Sequence, residues 1–171
     1  MANGSLGLLL ALLAGMLSYA STYLPDSIGV RWGAGVLFGL MVLAPTQRDI
    51  GRRVALVAIS TIAYRAAVWI AQELHTEVGW PVVASCALAG VFGVLVVSLG
   101  TSALLRARAD LRAIALASIA GVISGVLIGL CVEAEDESLG QQALLLGGYV
   151  VWQMGYTAAH RLTPQARGAA G

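Results

Sequence analysis

Six long apolar runs, separated by short polar connections, set the strongest limit on what this chain can fold into. They cover residues 5–23, 28–44, 54–74, 80–99, 113–132 and 141–160. An α-helix crosses the hydrocarbon core of a bilayer with about 20 predominantly apolar residues, whereas the strands of membrane barrels are shorter and alternate in polarity. The runs therefore predict membrane-spanning helices.

The overall composition indicates the same class of protein. The 171 residues are 58% hydrophobic and 11% charged, whereas an average soluble domain has about 25% charged residues. We therefore predict an all-α, polytopic integral membrane protein. Residues 1–160 would form one compact bundle of six transmembrane helices, and residues 161–171 a short polar tail.

The charges of the connections predict how the chain is threaded. Arginines occupy the second and fourth connections and the tail, while the odd-numbered connections carry most of the acids. Because arginine and lysine in short loops stay on the cytoplasmic side, both termini are expected in the cytoplasm. The basic set is Arg48, Arg52, Arg53, Arg106, Arg108, Arg112, Arg161 and Arg167, and the acidic set is Asp26, Glu73, Glu77, Glu133, Glu135, Asp136 and Glu137.

Two further sequence features bear on location. All ten basic residues are arginine, which is typical of a GC-rich genome and favours a bacterial inner membrane protein. Ser18–Ala20 resembles a signal-peptidase site, so cleavage is an alternative interpretation of the first run. The segment before that run lacks the basic residue of a signal peptide, which argues for a retained first helix.

Small residues recur every fourth position in the fifth run. Small residues allow close approach of helix backbones in lipid, where the hydrophobic effect does not drive helices together. This pattern predicts a packing face, used either within the bundle or for assembly with another subunit. The residues are Ala113, Ala117, Gly121, Gly125 and Gly129.

Arg65 is the most unusual residue of the sequence. It lies eleven residues beyond Val54, which places it roughly 16 Å along a helix and near the middle of a core about 30 Å thick. An arginine at that depth costs about 2.5–3.5 kcal/mol. All nine acids lie in connections or at the ends of the runs, so no carboxylate is expected beside Arg65.

Neutral polar and aromatic residues accompany Arg65 on two runs. Thr61 and Trp69 lie one turn to either side of it, and a stripe on the sixth run carries Tyr149, Gln153 and Tyr156. In antiparallel helices Gln153 would lie at nearly the depth of Arg65. We therefore predict a polar cavity between the third and sixth helices. These polar groups either fix the packing or bind a small ligand, with Arg65 as an anchor for an anionic group.

The sequence contains no HExxH, GxSxG or phosphate-binding loop, so we expect no catalysis, metal or cofactor. The first hypothesis is a protein that binds or transports a small molecule, with Arg65 as the anchor for its anionic group. The alternative is a non-catalytic subunit that assembles with itself or with other membrane proteins. In size, span number and orientation the chain resembles the substrate-binding subunits of energy-coupling-factor vitamin transporters and, equally coarsely, six-span scaffold proteins of the cell envelope. No residue role follows from either resemblance.

Overall fold

The computed structural model describes residues 3–23, 32–134 and 138–162, and within these ranges the chain forms six helices and no strand. The prediction of an all-α fold is confirmed. The predictions made for Asp26, Glu135, Asp136, Glu137 and Arg167 lie outside the described residues. The helices are α1 Asn3–Ala20, α2 Ala34–Phe38, α3 Ile50–Thr76, α4 Val82–Leu105, α5 Leu111–Glu133 and α6 Leu139–Leu162.

Short irregular turns extend two of these helices. A 3₁₀ turn at Ser21–Tyr23 follows α1. Helix α2 continues as a π-helical segment at Gly39–Leu43 and ends in a 3₁₀ turn at Ala44–Thr46. Pro45 lies in this last turn, where its missing N–H and fixed φ do not support a regular α-helix.

Aspartate caps begin two of the long helices. The Asp49 carboxylate accepts a hydrogen bond from the backbone N–H of Arg52 at 2.8 Å, and Asp110 accepts from the N–H groups of Arg112 and Ala113. Such caps satisfy N–H groups that have no partner within the helix. Helix α4 ends at Arg106, which adopts a left-handed conformation with φ of 51°.

Four stretches are long and apolar enough to cross a membrane: Ser5–Tyr23, Ile50–Thr76, Val82–Leu105 and Leu111–Glu133. The helical segment Ala34–Thr46 is apolar but shorter. Helix α6 has 24 residues, and its polar stripe lowers its hydropathy. Four apolar helices indicate a membrane protein, while the number of spans depends on α2 and α6.

The helices form a closed ring. Each packs against the next along the chain, and α6 returns to pack against α1. Glycines allow this close approach at several seams: Gly15 lies against Val150, Gly35 against the Thr61 backbone, and Gly155 against Ala120. At the seam between α2 and α3 the Ser60 hydroxyl donates to the Gly35 carbonyl at 2.7 Å.

The interior of the ring is apolar and aromatic. Its largest fully buried hydrophobic side chains include Phe38 of α2, Leu56 of α3 and Val97 of α4. They pack with Trp152 and Tyr156 of α6 in one cluster. This cluster fills the centre of the ring and forms one end of the cavity described next.

Candidate functional site

A cavity of about 100 Å³ lies inside the ring and is lined by residues of α3, α4, α5 and α6. It occupies the half of the ring that contains the first turns of α4 and the last turns of α3. Most of its wall is apolar, with a few hydroxyl groups and one thiol. The lining residues are Tyr64, Ala67, Val68, Ala71, Cys86, Ala89, Gly90, Gly93, Ser124, Gly125, Ile128, Tyr149 and Trp152.

Small side chains on α3 and α4 create this space, and Gly93 shows it most clearly. A Cβ added at Gly93 would lie 3.5 Å from the Ala67 Cβ and 4.0 Å from Trp152, which are ordinary contact distances. One turn away, a Cβ at Gly90 would instead collide with the backbone of Gly121. Close packing of α4 and α5 therefore requires a glycine at position 90. The glycine at position 93 is not required for packing, and its missing side chain adds to the space of the cavity.

Hydroxyl groups from three helices surround the cavity. The hydroxyls of Tyr64 on α3 and Tyr149 on α6 lie 3.1 Å apart. Ser124 on α5 is 4% exposed and lines the cavity. Because a few polar groups in a mostly apolar lining fix the orientation of a ligand, Ser124 is a candidate ligand contact.

Aromatic rings close the cavity toward the opposite half of the bundle. Trp152 forms part of the cavity wall, and its ring lies 5.0 Å from that of Phe38. Phe38 packs edge-on against Tyr156 at 5.3 Å, and Tyr156 stacks on His160 at 4.2 Å. Trp152, Phe38, Tyr156 and His160 therefore form an aromatic column between the cavity and the end of α6.

The predicted inward stripe of α6 is buried, but it contacts several different helices. Gln153 is fully buried, and its side-chain N–H donates to the Ser18 hydroxyl of α1 at 2.8 Å. Its Oε1 has no hydrogen-bond partner among the described residues. The Tyr156 hydroxyl lies beside those of Ser98 and Thr101 on α4. Of these three predicted α6 residues, Tyr149 lines the cavity, whereas Gln153 and Tyr156 are outside its lining.

The three predicted residues of α3 lie away from the cavity. Arg65 is half-buried, and its guanidinium lies over the Trp32 ring, 5.9 Å from the centroid. Thr61 donates to the Val57 carbonyl of its own helix, and Trp69 is 55% exposed. The structure therefore does not bring Arg65 and Gln153 together, and an anion-binding role for Arg65 stays a prediction.

Tyr64, the neighbour of Arg65, is the α3 residue that sequence reasoning missed. Successive helical residues are rotated by about 100°, so Tyr64 faces the ring while Arg65 lies beside α2. The small residues Ser60, Ala63, Ala67 and Ala71 follow helical spacing. Since small residues mark helix–helix contacts in membranes, this pattern could have identified the inner face of α3.

The small residues of α5 pack against α4. Gly121 lies against Gly90, Gly125 against the backbone of Cys86 and Ala87, and Gly129 against Val83. Ala113 and Ala117 are fully buried on the same helix. Within the described structure this face is therefore in use between two helices of one chain.

Metal-binding groups are not clustered in the parts of the chain that the structure describes: they hold no set of three or more His, Cys, Asp or Glu side chains. Cys86 and Cys131 are free thiols. Comparison with protein-family models, with curated proteins and with solved structures finds no match. The geometry of the helical ring and its cavity is therefore the basis for inferring a function.

Proposed function

We propose that this is a bacterial inner-membrane protein with six spans and cytoplasmic termini, and that it binds a small molecule in the ring cavity. Four long apolar helices support membrane insertion. The alternation of arginine-rich and acidic connections supports the orientation. In this arrangement α2 and α6 are the two remaining spans, held within the ring by packing on their neighbours.

The cavity with its buried hydroxyls is the observation that supports a binding function. Ligand sites are mostly apolar hollows with a few convergent polar groups, and this cavity combines apolar walls with Ser124 and the pair of Tyr64 and Tyr149. An apolar cavity of about 150 Å³ binds benzene. This cavity is smaller, at about 100 Å³, but it is not closed on all sides. The largest ligand that it fits is therefore a single small ring with a polar group that projects from the cavity.

The ligand is expected to be uncharged. The lining residues include no Arg, Asp, Glu or His, and a buried charge without a partner is strongly disfavoured. Arg65 lies beside Trp32 and outside the lining. The best fit is a compact apolar molecule with one group that hydrogen-bonds to Tyr149 or Ser124.

Transport would require a second step beyond binding. The aromatic column from Trp152 to His160 closes the cavity toward the proposed cytoplasmic side. A ligand would enter from the outer half, and displacement of Phe38 would be needed to release it inward. Binding is therefore the primary proposal, and transport depends on movement of this column.

Assembly with other subunits is the alternative function. The small-residue face of α5 is covered by α4, so an oligomer would have to use a different, lipid-facing surface. In that case substitutions at the cavity would leave the assembly unchanged.

Native mass spectrometry of the protein isolated from its own cells tests the binding proposal. We expect a non-lipid small molecule bound to the wild type and lost in Ala67→Leu, which fills the cavity. Ala103→Leu, an exposed change on α4, should retain it. If no small molecule accompanies the wild type, or if Ala67→Leu retains it fully, the cavity is not the binding site.

A further inference from the structure

A second, larger hollow runs along the outer side of the seam between α2 and α3. This groove has a volume of about 870 Å³ and a predominantly apolar lining. Unlike the ring cavity, it is formed mostly by exposed side chains, and one of its lining residues is charged. The lining residues are Leu40, Ala44, Pro45, Ile50, Arg53, Val54, Val57, Ala58, Thr61 and Ile62.

The length of the groove matches one leaflet of a bilayer. On α3 it extends from Ile50 to Ile62, and the part from Arg53 to Ile62 corresponds to roughly 14 Å at the helical rise of 1.5 Å per residue. Half of a hydrocarbon core about 30 Å thick is nearly the same distance. An extended acyl chain of a single leaflet would therefore reach from Arg53 to the far end of the groove.

Arg53 supplies a positive charge at the end of the groove that faces the arginine-rich connection. Its Nε–H donates to the Gln47 carbonyl at 2.7 Å, which holds the side chain in place. The terminal amino groups of the guanidinium have no other hydrogen bond or ion pair within the described ranges. A guanidinium held in this way can bind a phosphate through two parallel hydrogen bonds.

We propose that the groove is a binding site for an anionic phospholipid of the cytoplasmic leaflet. Its acyl chain lies between α2 and α3, and its phosphate contacts Arg53. Arg48, exposed on the same connection, adds positive potential near the headgroup, which favours anionic over zwitterionic lipid. This inference depends on the proposed membrane insertion and orientation but is independent of the ring-cavity ligand.

Lipid retention in native mass spectrometry tests this site, with phosphatidylglycerol and phosphatidylcholine of matched acyl chains added in equal amounts. The wild type should retain about fivefold more phosphatidylglycerol, as expected for about one favourable basic contact. Arg53→Gln should lose this preference. Arg52→Gln, a neighbouring change outside the lining, should keep most of it.

A steric variant tests the groove itself. Ala58→Leu places a larger side chain in the exposed lining and should reduce retention of both lipids, whereas Ala103→Leu on α4 should not. Equal retention of the two lipids by the wild type, or equal loss in Arg52→Gln and Arg53→Gln, would contradict the site. If a second copy of the chain is retained in place of lipid and is lost in Ala58→Leu, the groove is a protein contact. That result would also contradict the lipid site.

Membrane insertion is checked separately by washing membranes at alkaline pH. If the chain is released without detergent, the membrane assignment fails together with this inference. If the chain stays in the membrane and only the lipid preference is missing, the groove proposal alone fails.

Discussion

At the scale of single residues, two neighbours on α3 have different environments. Tyr64 faces the ring and lies within hydrogen-bonding distance of Tyr149, while Arg65 lies over Trp32 on the side of α2. A cation over an indole ring contributes roughly 0.5–2 kcal/mol, depending on how far it is desolvated. Arg65 is therefore partly compensated by an aromatic face.

This geometry predicts that Arg65→Gln leaves ligand binding in the cavity unchanged, because Arg65 is not a lining residue. The variant should lower thermal stability modestly, by no more than about 2 kcal/mol. Tyr149→Phe should instead weaken binding about tenfold or less, the usual loss for one hydrogen bond. Isothermal titration of both variants with a neutral ring compound, such as phenol, measures the difference. Loss of binding in Arg65→Gln alone would restore the anionic-ligand hypothesis.

Sequence reasoning reached part of the site at this scale. The stripe of Tyr149, Gln153 and Tyr156 was predicted to face inward, and the structure buries all three. The sequence pattern could not show which helix each of these side chains contacts, because the contacts depend on how α1 and α4 are rotated about their axes. Gln153 thus contacts Ser18 of α1, a residue more than a hundred positions away in the chain.

At the scale of helices, α4 and α5 are the pair most dependent on glycine. Gly90 and Gly121 approach backbone to backbone, and such packing replaces the hydrophobic effect as the source of helix association in lipid. Gly93, on the same helix, borders the empty cavity instead. The same substitution should therefore have opposite consequences at the two positions.

Gly90→Ala is expected to destabilise the protein by about 1–3 kcal/mol, because the added methyl group forces two backbones apart. Gly93→Ala should be neutral or slightly stabilising, since its methyl group enters existing space and alanine favours the helix by about 1 kcal/mol. Thermal unfolding in detergent compares the two, with Gly147→Ala on α6 as a control outside the cavity. Equal destabilisation at both positions would show that the cavity is absent.

The positions of the helices were largely predictable, and their ends less so. The third run was predicted at residues 54–74, and α3 covers Ile50–Thr76, because the Asp49 cap begins the helix among polar residues that hydropathy excludes. The second run was predicted at residues 28–44, and its described part departs from α-helical geometry after Phe38. Apolar patterns do not record such local changes in helical pitch.

At the scale of the whole molecule, closure of the ring is the feature that the sequence did not predict. Short connections predict that consecutive helices are neighbours, but the contact between α1 and α6 joins the two ends of the chain. It depends on complementary surfaces, such as Gly15 against Val150. The contact between α1 and α6 closes the ring around an interior. Without this interior the polar stripe of α6 could not be buried.

The orientation of the ring is tested by cysteine labelling in intact cells. In a background without Cys86 and Cys131, Ala134→Cys should react with an impermeant maleimide, because Ala134 follows α5 on the proposed outer side. Ala107→Cys, in the arginine-rich connection, should react only after the cells are made permeable. The reverse pattern would invert the topology and place the lipid groove in the outer leaflet.

The central claim is that the ring encloses a binding site for a small neutral molecule. The most direct test is the shift in thermal unfolding temperature of detergent-solubilised protein with increasing phenol, compared between the wild type and Ala67→Leu. Phenol at 100 times its Kd adds about 2.7 kcal/mol of stability, so the wild type should show a saturable rise of roughly 5–10 °C. The filled variant should show none. No rise in the wild type, or an equal rise in both proteins, would contradict the claim.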